Sequence, residues 1–280
     1  MAAGIPRGEK LHLISSRVIR TSGAEFYVRE AGTGPLVIFL HGMMSSAAVW
    51  RPIMLALAEE FRCVALDQRG HGLNTKQAGG YAAKDFAGDV VALIEALDAG
   101  PAVVVGHSLG ARNAIVAAAM NGASIKSVVA IDYVPFVESE VLDVLEARAA
   151  SGDRIYASRA EIETDIGGRL TKLPADAVRH RAETLYGEVE GGLRQLADAR
   201  ALVLATRGLR EDFASAFRSL VCPVLILCGA QSNVVSESAR EATRAARPDI
   251  PIVLVPDTDH FVIEEAPLFC ANAISDFANR

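Results

Sequence analysis

The sequence predicts an α/β protein: a mostly parallel eight-stranded sheet with flanking helices and a helical cap inserted after the sixth strand. Three observations carry that expectation. Continuous apolar runs of strand length, bounded by turn residues, suit strands buried on both faces of a parallel sheet. Segments of helical period alternate with them. That alternation stops near residue 135 and resumes near residue 218.

Two β-type segments, Leu11–Thr21 and Glu25–Arg29, open the chain, separated by Ser22-Gly23. Pro35–Leu40 is apolar throughout and stops at His41-Gly42. A helical stretch, Ala47–Glu60, leads to a strand, Arg62–Leu66, that ends at Asp67. Asp85–Ala99 carries Val90, Val91, Leu93, Ile94 and Leu97 close to a helical period. Strand Ala102–Val105, helix Ala111–Met120 and strand Ser127–Ile131 follow, the last ending at Asp132. From Pro135 to Phe217 only helix-like or irregular segments are expected. The rhythm returns with strand Pro223–Leu227, helix Glu237–Ala246, strand Ile252–Val255 and helix Pro267–Asn279. Residues 1–134 and 218–280 therefore read as a core and 135–217 as its cap. A cap at that point covers the C-terminal edge of the sheet, where open α/β sheets bind ligands.

The 280 residues, 51% hydrophobic and 22% charged, suffice for one large core with an insertion. A net charge of −6 argues against a nucleic-acid partner, which would favour a basic face. No apolar stretch approaches the roughly 18–20 residues of a membrane span. Met1–Lys10 lacks the hydrophobic run and cleavage site of a secretory signal. Cys63, Cys222, Cys228 and Cys270 have no metal-ligand spacing, and Cys222 and Cys228 read as buried thiols in or beside an apolar strand. The expectation is a cytoplasmic protein without metal or organic cofactor.

Gly106-His107-Ser108-Leu109-Gly110 lies between a strand and a helix. G-x-S-x-G in that setting presents a nucleophilic serine on a tight turn, its hydroxyl above the sheet, with the following N–H aimed at the reacting oxygen. A serine proton must leave as the oxygen attacks, so a base is needed. Of the six histidines, His260 follows the last strand and opens the final helical region, the place and chain order expected of that base. His41 and His71 belong to turn motifs and His107 flanks the nucleophile; for these, and for His12 and His180, structural or solvent roles are expected. His41-Gly42-Met43 ends the Pro35–Leu40 strand. Its glycine permits a sharp turn that lets the Met43 N–H join that of Leu109 as an oxyanion hole. Core packing is the plainer reading of the Met43 and Met44 side chains, and bracing of a loop that of Asp67–Gly72.

His41-Gly42, Asp67–Gly72, Gly106–Gly110 and the late His260 together resemble the α/β-hydrolase fold superfamily over nearly the whole chain. That resemblance implies an acid after the strand that follows the cap, three residues beyond a glycine. Here Cys228-Gly229-Ala230-Gln231-Ser232 puts a serine there, which cannot balance an imidazolium charge. Ile131-Asp132-Tyr133 offers a carboxylate at the end of the preceding strand, to fix the His260 tautomer and stabilise its charged form. A turn-capping aspartate is the alternative for Asp132. Asp257 and Asp259 stand too close along the chain to His260 to orient its ring easily. The expected triad is Ser108, Asp132 and His260. An acid after the sixth strand resembles a subgroup that includes some haloalkane dehalogenases and esterases; dehalogenases carry an aspartate where this chain has Ser108.

Within the superfamily the whole chain is similar to hydrolases of a dicarboxylated enamide. That similarity implies cleavage of a linear amide in a small-molecule dicarboxylate substrate. It favours Arg148, at the end of Glu138–Ala150, and Arg169, after a flexible Gly167-Gly168 approach, as carboxylate ligands, since a buried carboxylate suits a guanidinium fork. Most cap arginines have acidic residues nearby, so solvated ion pairing is the plainer reading of each. A general carboxylesterase or carbon–carbon bond hydrolase, and a non-catalytic ligand-binding protein on the same fold, remain the alternatives.

Overall fold

A computed structural model describes residues 13–21, 23–150 and 153–280. Met1–Lys10, with its expected lack of a signal, and His12 lie outside the described residues, as does the start of the first expected strand.

The elements follow in chain order: β1 (Ser15–Arg20), β2 (Glu25–Ala31), β3 (Leu36–Leu40), α1 (Arg51–Leu57), β4 (Arg62–Leu66), α2 (Ala83–Leu97), β5 (Ala102–His107), α3 (Leu109–Met120) and β6 (Ile125–Ile131). After β6 come α4 (Ser139–Ala150), β7 (Ile155–Tyr156), α5 (Arg159–Arg169), α6 (Ala175–Thr184), β8 (Tyr186–Val189), β9 (Gly192–Gln195), α7 (Ala199–Gly208) and α8 (Ala214–Ser219). The chain ends with β10 (Val224–Gly229), α9 (Glu237–Ala246), β11 (Ile252–Val255), α10 (Val262–Glu265) and α11 (Pro267–Ala278). Eight of the strands make one sheet in the order β1-β2-β4-β3-β5-β6-β10-β11. β2 pairs antiparallel with β1 and β4, and every other pairing is parallel.

The continuous apolar runs have the cause expected of them. Side chains alternate across a strand, so Leu36, Ile38 and Leu40 enter one core with Phe86, Val90 and Ile115 of α2 and α3. Val37 and Phe39 enter a second core with Ile53, Met54, Cys270 and Ile274 of α1 and α11. With both faces covered, the ends of the strands are held in fixed register, and β3, β5, β6 and β10 present theirs along one edge.

The segment between β6 and β10 departs from expectation. It carries a three-stranded antiparallel sheet, β7-β9-β8, among its helices. These strands are two to four residues long and half-exposed, with one glycine in each of β8 and β9, so they lack the apolar run that marks a buried strand. Tyr156, Ile162, Ile166, Leu170, Val178 and Leu193 give the segment a small core of its own. Cys63, Cys228 and Cys270 are buried, whereas Cys222 precedes β10 and is only partly covered; all four are free thiols. Among the described residues no helix is long and apolar enough to cross a membrane.

Candidate active site

β5 runs directly into a turn centred on Ser108, whose φ of 53° and ψ of −118° lie in a region L-residues rarely occupy. Such a conformation costs on the order of 1–3 kcal/mol and persists only where its surroundings enforce it. Here the flanking glycines do so by close approach. A Cβ on Gly106 would lie 2.1 Å from the Gly110 carbonyl oxygen, and one on Gly110 would lie 2.2 Å from the Leu40 oxygen. The Ser108 N–H donates to the Ile131 carbonyl at 2.9 Å, pinning the turn to β6.

Ser108 Oγ lies 3.1 Å from His260 Nε2, and His260 Nδ1 lies 2.7 Å from Asp132 Oδ2. With the carboxylate as acceptor, Nδ1 carries the proton and Nε2 is free to accept from the serine hydroxyl. Asp132 is fully buried and also adopts a positive φ, 50°. Its Oδ1 accepts from the Gly229 N–H at 2.8 Å and its Oδ2 from Ser232 Oγ at 2.6 Å. Ser232 Oγ in turn accepts the Val234 and Val235 N–H groups. The residue at the place where a family acid was expected thus supports the carboxylate one strand away. Asp259 instead accepts the Phe261 N–H through Oδ1. His107 Nε2–H donates to the His260 carbonyl at 2.7 Å, and the two rings lie 4.9 Å apart, so His107 braces the loop. Burial holds its pKa well below the usual histidine range. His180 Nε2–H donates to the Ala48 carbonyl.

Met43 follows β3 and lines the same cavity as Ser108 and His260, while Leu109 opens α3. Among the described residues neither N–H donates to a protein group. The cap grips this loop: Thr206 Oγ1 lies 3.1 Å from Met43 Sδ, and Gln195 Nε2 donates to the Met44 carbonyl at 2.8 Å. Asp67 braces the neighbouring loop by accepting the Ala47 and Leu73 N–H groups, and Arg69 forks onto Asp89.

Arg148 and Arg169 both line the cavity beside Ser108. Burial lowers the Arg148 pKa, and the nearby Arg169 and Arg181 charges lower it further. Arg169 reaches the cavity differently from expectation. Gly167 and Gly168 are regular turns of α5, so the side chain, and no flexible backbone, approaches the site. Arg169 also holds Asp165 through Nε and Nη2, at 3.1 and 2.8 Å. Sequence reasoning missed Arg181, Tyr186 and Gln195, which share the lining. Arg181 forks onto Glu264 of α10, and its guanidinium lies 4.8 Å from the Phe261 ring centre. Nothing local in the sequence marks these three, because a cavity lining is chosen by the packing of α6, β8 and β9 over the sheet.

A hydroxyl, an imidazole and a buried carboxylate in one hydrogen-bonded line are the arrangement of a serine-class hydrolase. The chain belongs to the alpha/beta hydrolase family, which matches residues 37–273. It is 46% identical, over 95% of each chain, to the 2-(acetamidomethylene)succinate hydrolase of Mesorhizobium japonicum. A crystal structure of E-2-(acetamidomethylene)succinate hydrolase superposes with a TM-score of 0.93 at 44% identity, covering 96% of this chain and 100% of that one. The thioesterase domain from the curacin biosynthetic pathway superposes at 0.81 with 19% identity, over 94% of this chain and 99% of its own; that likeness concerns the fold alone.

Proposed function

We propose that this enzyme hydrolyses the amide of (E)-2-(acetamidomethylene)succinate in vitamin B6 degradation, giving acetate, ammonia, carbon dioxide and succinate semialdehyde. The observation that carries the reading is the pairing of a full-length, 46% identical relative of that activity with a cavity that places two arginines beside Ser108. A substrate with two carboxylates suits two guanidinium groups.

Ser108 attacks the acetyl carbonyl as His260 Nε2 takes its proton. The Met43 and Leu109 N–H groups receive the oxyanion, and Asp132 stabilises the imidazolium. His260 then returns the proton to the leaving nitrogen or to the conjugated carbon. Conjugation to a carboxylated alkene makes that nitrogen a better leaving group than that of a plain amide. One water, activated by His260, releases acetate. A second hydrolyses the freed enamine, and loss of carbon dioxide completes the products without further help from the protein. Arg148 and Arg169 hold the carboxylates, so that remote binding energy orients the acetyl group. Residues 135–217 act as the cap that supplies them. The chain needs no cofactor for these steps, and its four free thiols suit a cytoplasmic setting.

Acetate release is measured on (E)-2-(acetamidomethylene)succinate, a monocarboxylate analogue and an aryl acetate. The dicarboxylate is expected to be strongly preferred. Preference for the aryl acetate would reduce the reading to a general esterase.

A further inference from the structure

A line of buried polar side chains that the mechanism does not use runs behind the oxyanion strand. Arg112 and Asn113 lie on α3, Gln68 follows β4 and His41 ends β3; none is more than 2% exposed. Arg112 Nη1 donates to the Gly208 carbonyl at the C-terminal end of α7 (2.8 Å), and Arg112 Nε donates to Asn113 Oδ1 (2.8 Å). Asn113 Nδ2 donates to Gln68 Oε1, and Gln68 Nε2 donates to the His41 carbonyl, both at 2.6 Å. Finally, the Gln68 N–H lies 3.0 Å from His41 Nε2.

That last contact assigns a tautomer. A backbone N–H can only donate, so Nε2 accepts and the ring proton sits on Nδ1. Nδ1–H then donates to the Gly42 carbonyl at 2.7 Å. The Gly42 carbonyl and the Met43 N–H belong to one planar trans peptide, and the two groups point in opposite directions. Holding the oxygen therefore aims the N–H, and a hydrogen bond to the carbonyl polarises the peptide and strengthens its donor. Burial keeps the His41 ring neutral, lowering its pKa to about 4. Gly42 itself admits no side chain, since a Cβ would stand 2.9 Å from His107 Nδ1 and 3.2 Å from Ser108 Cβ.

We propose that His41 is the positioning residue of the oxyanion hole, fixing the plane of the Gly42–Met43 peptide, and that Gln68, Asn113 and Arg112 tie that plane to the end of cap helix α7. The inference rests on the reading of Met43 as an oxyanion donor. It gives a purpose to a fully buried guanidinium, which is costly to desolvate.

The test compares wild type, His41→Phe, His41→Asn and Asn113→Leu. Each is assayed for kcat and KM on the dicarboxylated enamide and for affinity toward a trifluoromethyl ketone isostere, which forms a tetrahedral adduct with the serine. His41→Phe is expected to lower kcat on the order of 10²-fold, the scale of one lost oxyanion donor, with KM little changed and ketone affinity falling in proportion. Asn can place an amide N–H near the position of Nδ1, so His41→Asn should recover most of that loss. Asn113→Leu should fall between them. Equal losses in kcat and 1/KM, or His41→Asn no better than His41→Phe, would overturn the inference while leaving the oxyanion hole standing. A wild-type enzyme that binds the ketone no more tightly than its substrate would remove the Met43 reading and the inference together. Should His41→Phe not fold, His41→Asn and Asn113→Leu carry the same comparison: no loss of ketone affinity in Asn113→Leu would count against the relay.

Discussion

Ser232 Oγ donates to Asp132 Oδ2 across 2.6 Å, joining the end of β10 to the end of β6. The serine thus supports the carboxylate that faces His260. A hydrogen bond to a charged group contributes about 1.5–3 kcal/mol. Ser232→Ala is expected to lower the thermal midpoint and to reduce kcat on the order of tenfold, by loosening the carboxylate that orients His260. Calorimetry and steady-state kinetics on the one variant check both, and an unchanged kcat would make the contact purely structural.

Removing the nucleophile separates chemistry from binding. Ser108→Ala should abolish turnover while substrate still binds, as titration calorimetry would show. Asp132→Asn should keep the fold but lower kcat on the order of 10⁴-fold, because the His260 tautomer is no longer enforced. Near-wild-type turnover in Ser108→Ala would end the covalent scheme.

Arg148 probes substrate charge, because it lines the cavity beside Ser108 and burial lowers its pKa. Arg148→Ala should raise KM for dicarboxylates by one to two orders of magnitude, equivalent to about 1.4–2.8 kcal/mol, and leave small neutral esters nearly unaffected. Parallel losses on both substrate types would mark the arginine as structural.

The Arg181–Glu264 pair, whose side chains are 9% and 4% exposed, joins α6 to the helix just after His260. Breaking a buried pair by removing one partner costs about 3–5 kcal/mol, more than the pair itself contributes relative to apolar packing. Glu264→Gln should therefore destabilise strongly, whereas the double change Arg181→Met with Glu264→Leu should regain most of the loss. Denaturant unfolding of the three proteins reads the difference directly.

Three groups, one glutamate and two histidines, give stability a dependence on pH in opposite senses. Burial, with Asp259 alongside, raises the Glu265 pKa from 4.5 to about 8. Between those values the folded chain holds a proton that the unfolded chain has lost, so stability declines as pH rises through that window. Burial lowers His41 from 6.5 to about 4 and His71 from 6.5 to about 3. Below 6.5 the unfolded chain binds protons these rings refuse, and stability falls as pH drops. Melting curves from pH 4 to 9 should show both limbs, and Glu265→Gln should flatten only the alkaline one.

The parts of the site that were legible in the sequence are those written locally. Gly106–Gly110 needs its glycines because β5, α3 and β3 meet there, and Asp132 stands at a strand end that its apolar run marks. The cap was less legible. β8 and β9 join through Glu190-Gly191, a hairpin signal hidden by strands too short and too exposed to show a pattern. Gly167 and Gly168 suggested a flexible approach, yet α5 continues through them because Ile162 and Ile166 anchor its inner face in the cap core. Arg181 differs from its neighbours in sequence only by what α6 packs against, which no local pattern encodes.

Asp132 is the first residue after the strand that precedes the cap, and its partners Gly229 and Ser232 come from the end of the strand that follows it. The two roots of the insertion are thus laced together by the acid itself. The carboxylate is held from the sheet on both sides of the insertion and, among the described residues, by no side chain within it. The same contact opens a route for the acid to migrate. Positions 132 and 232 already touch, and a chain with carboxylates at both would share one proton between them and keep a single negative charge. A lineage could shift its acid sideways by one strand while the histidine it serves stays where it is.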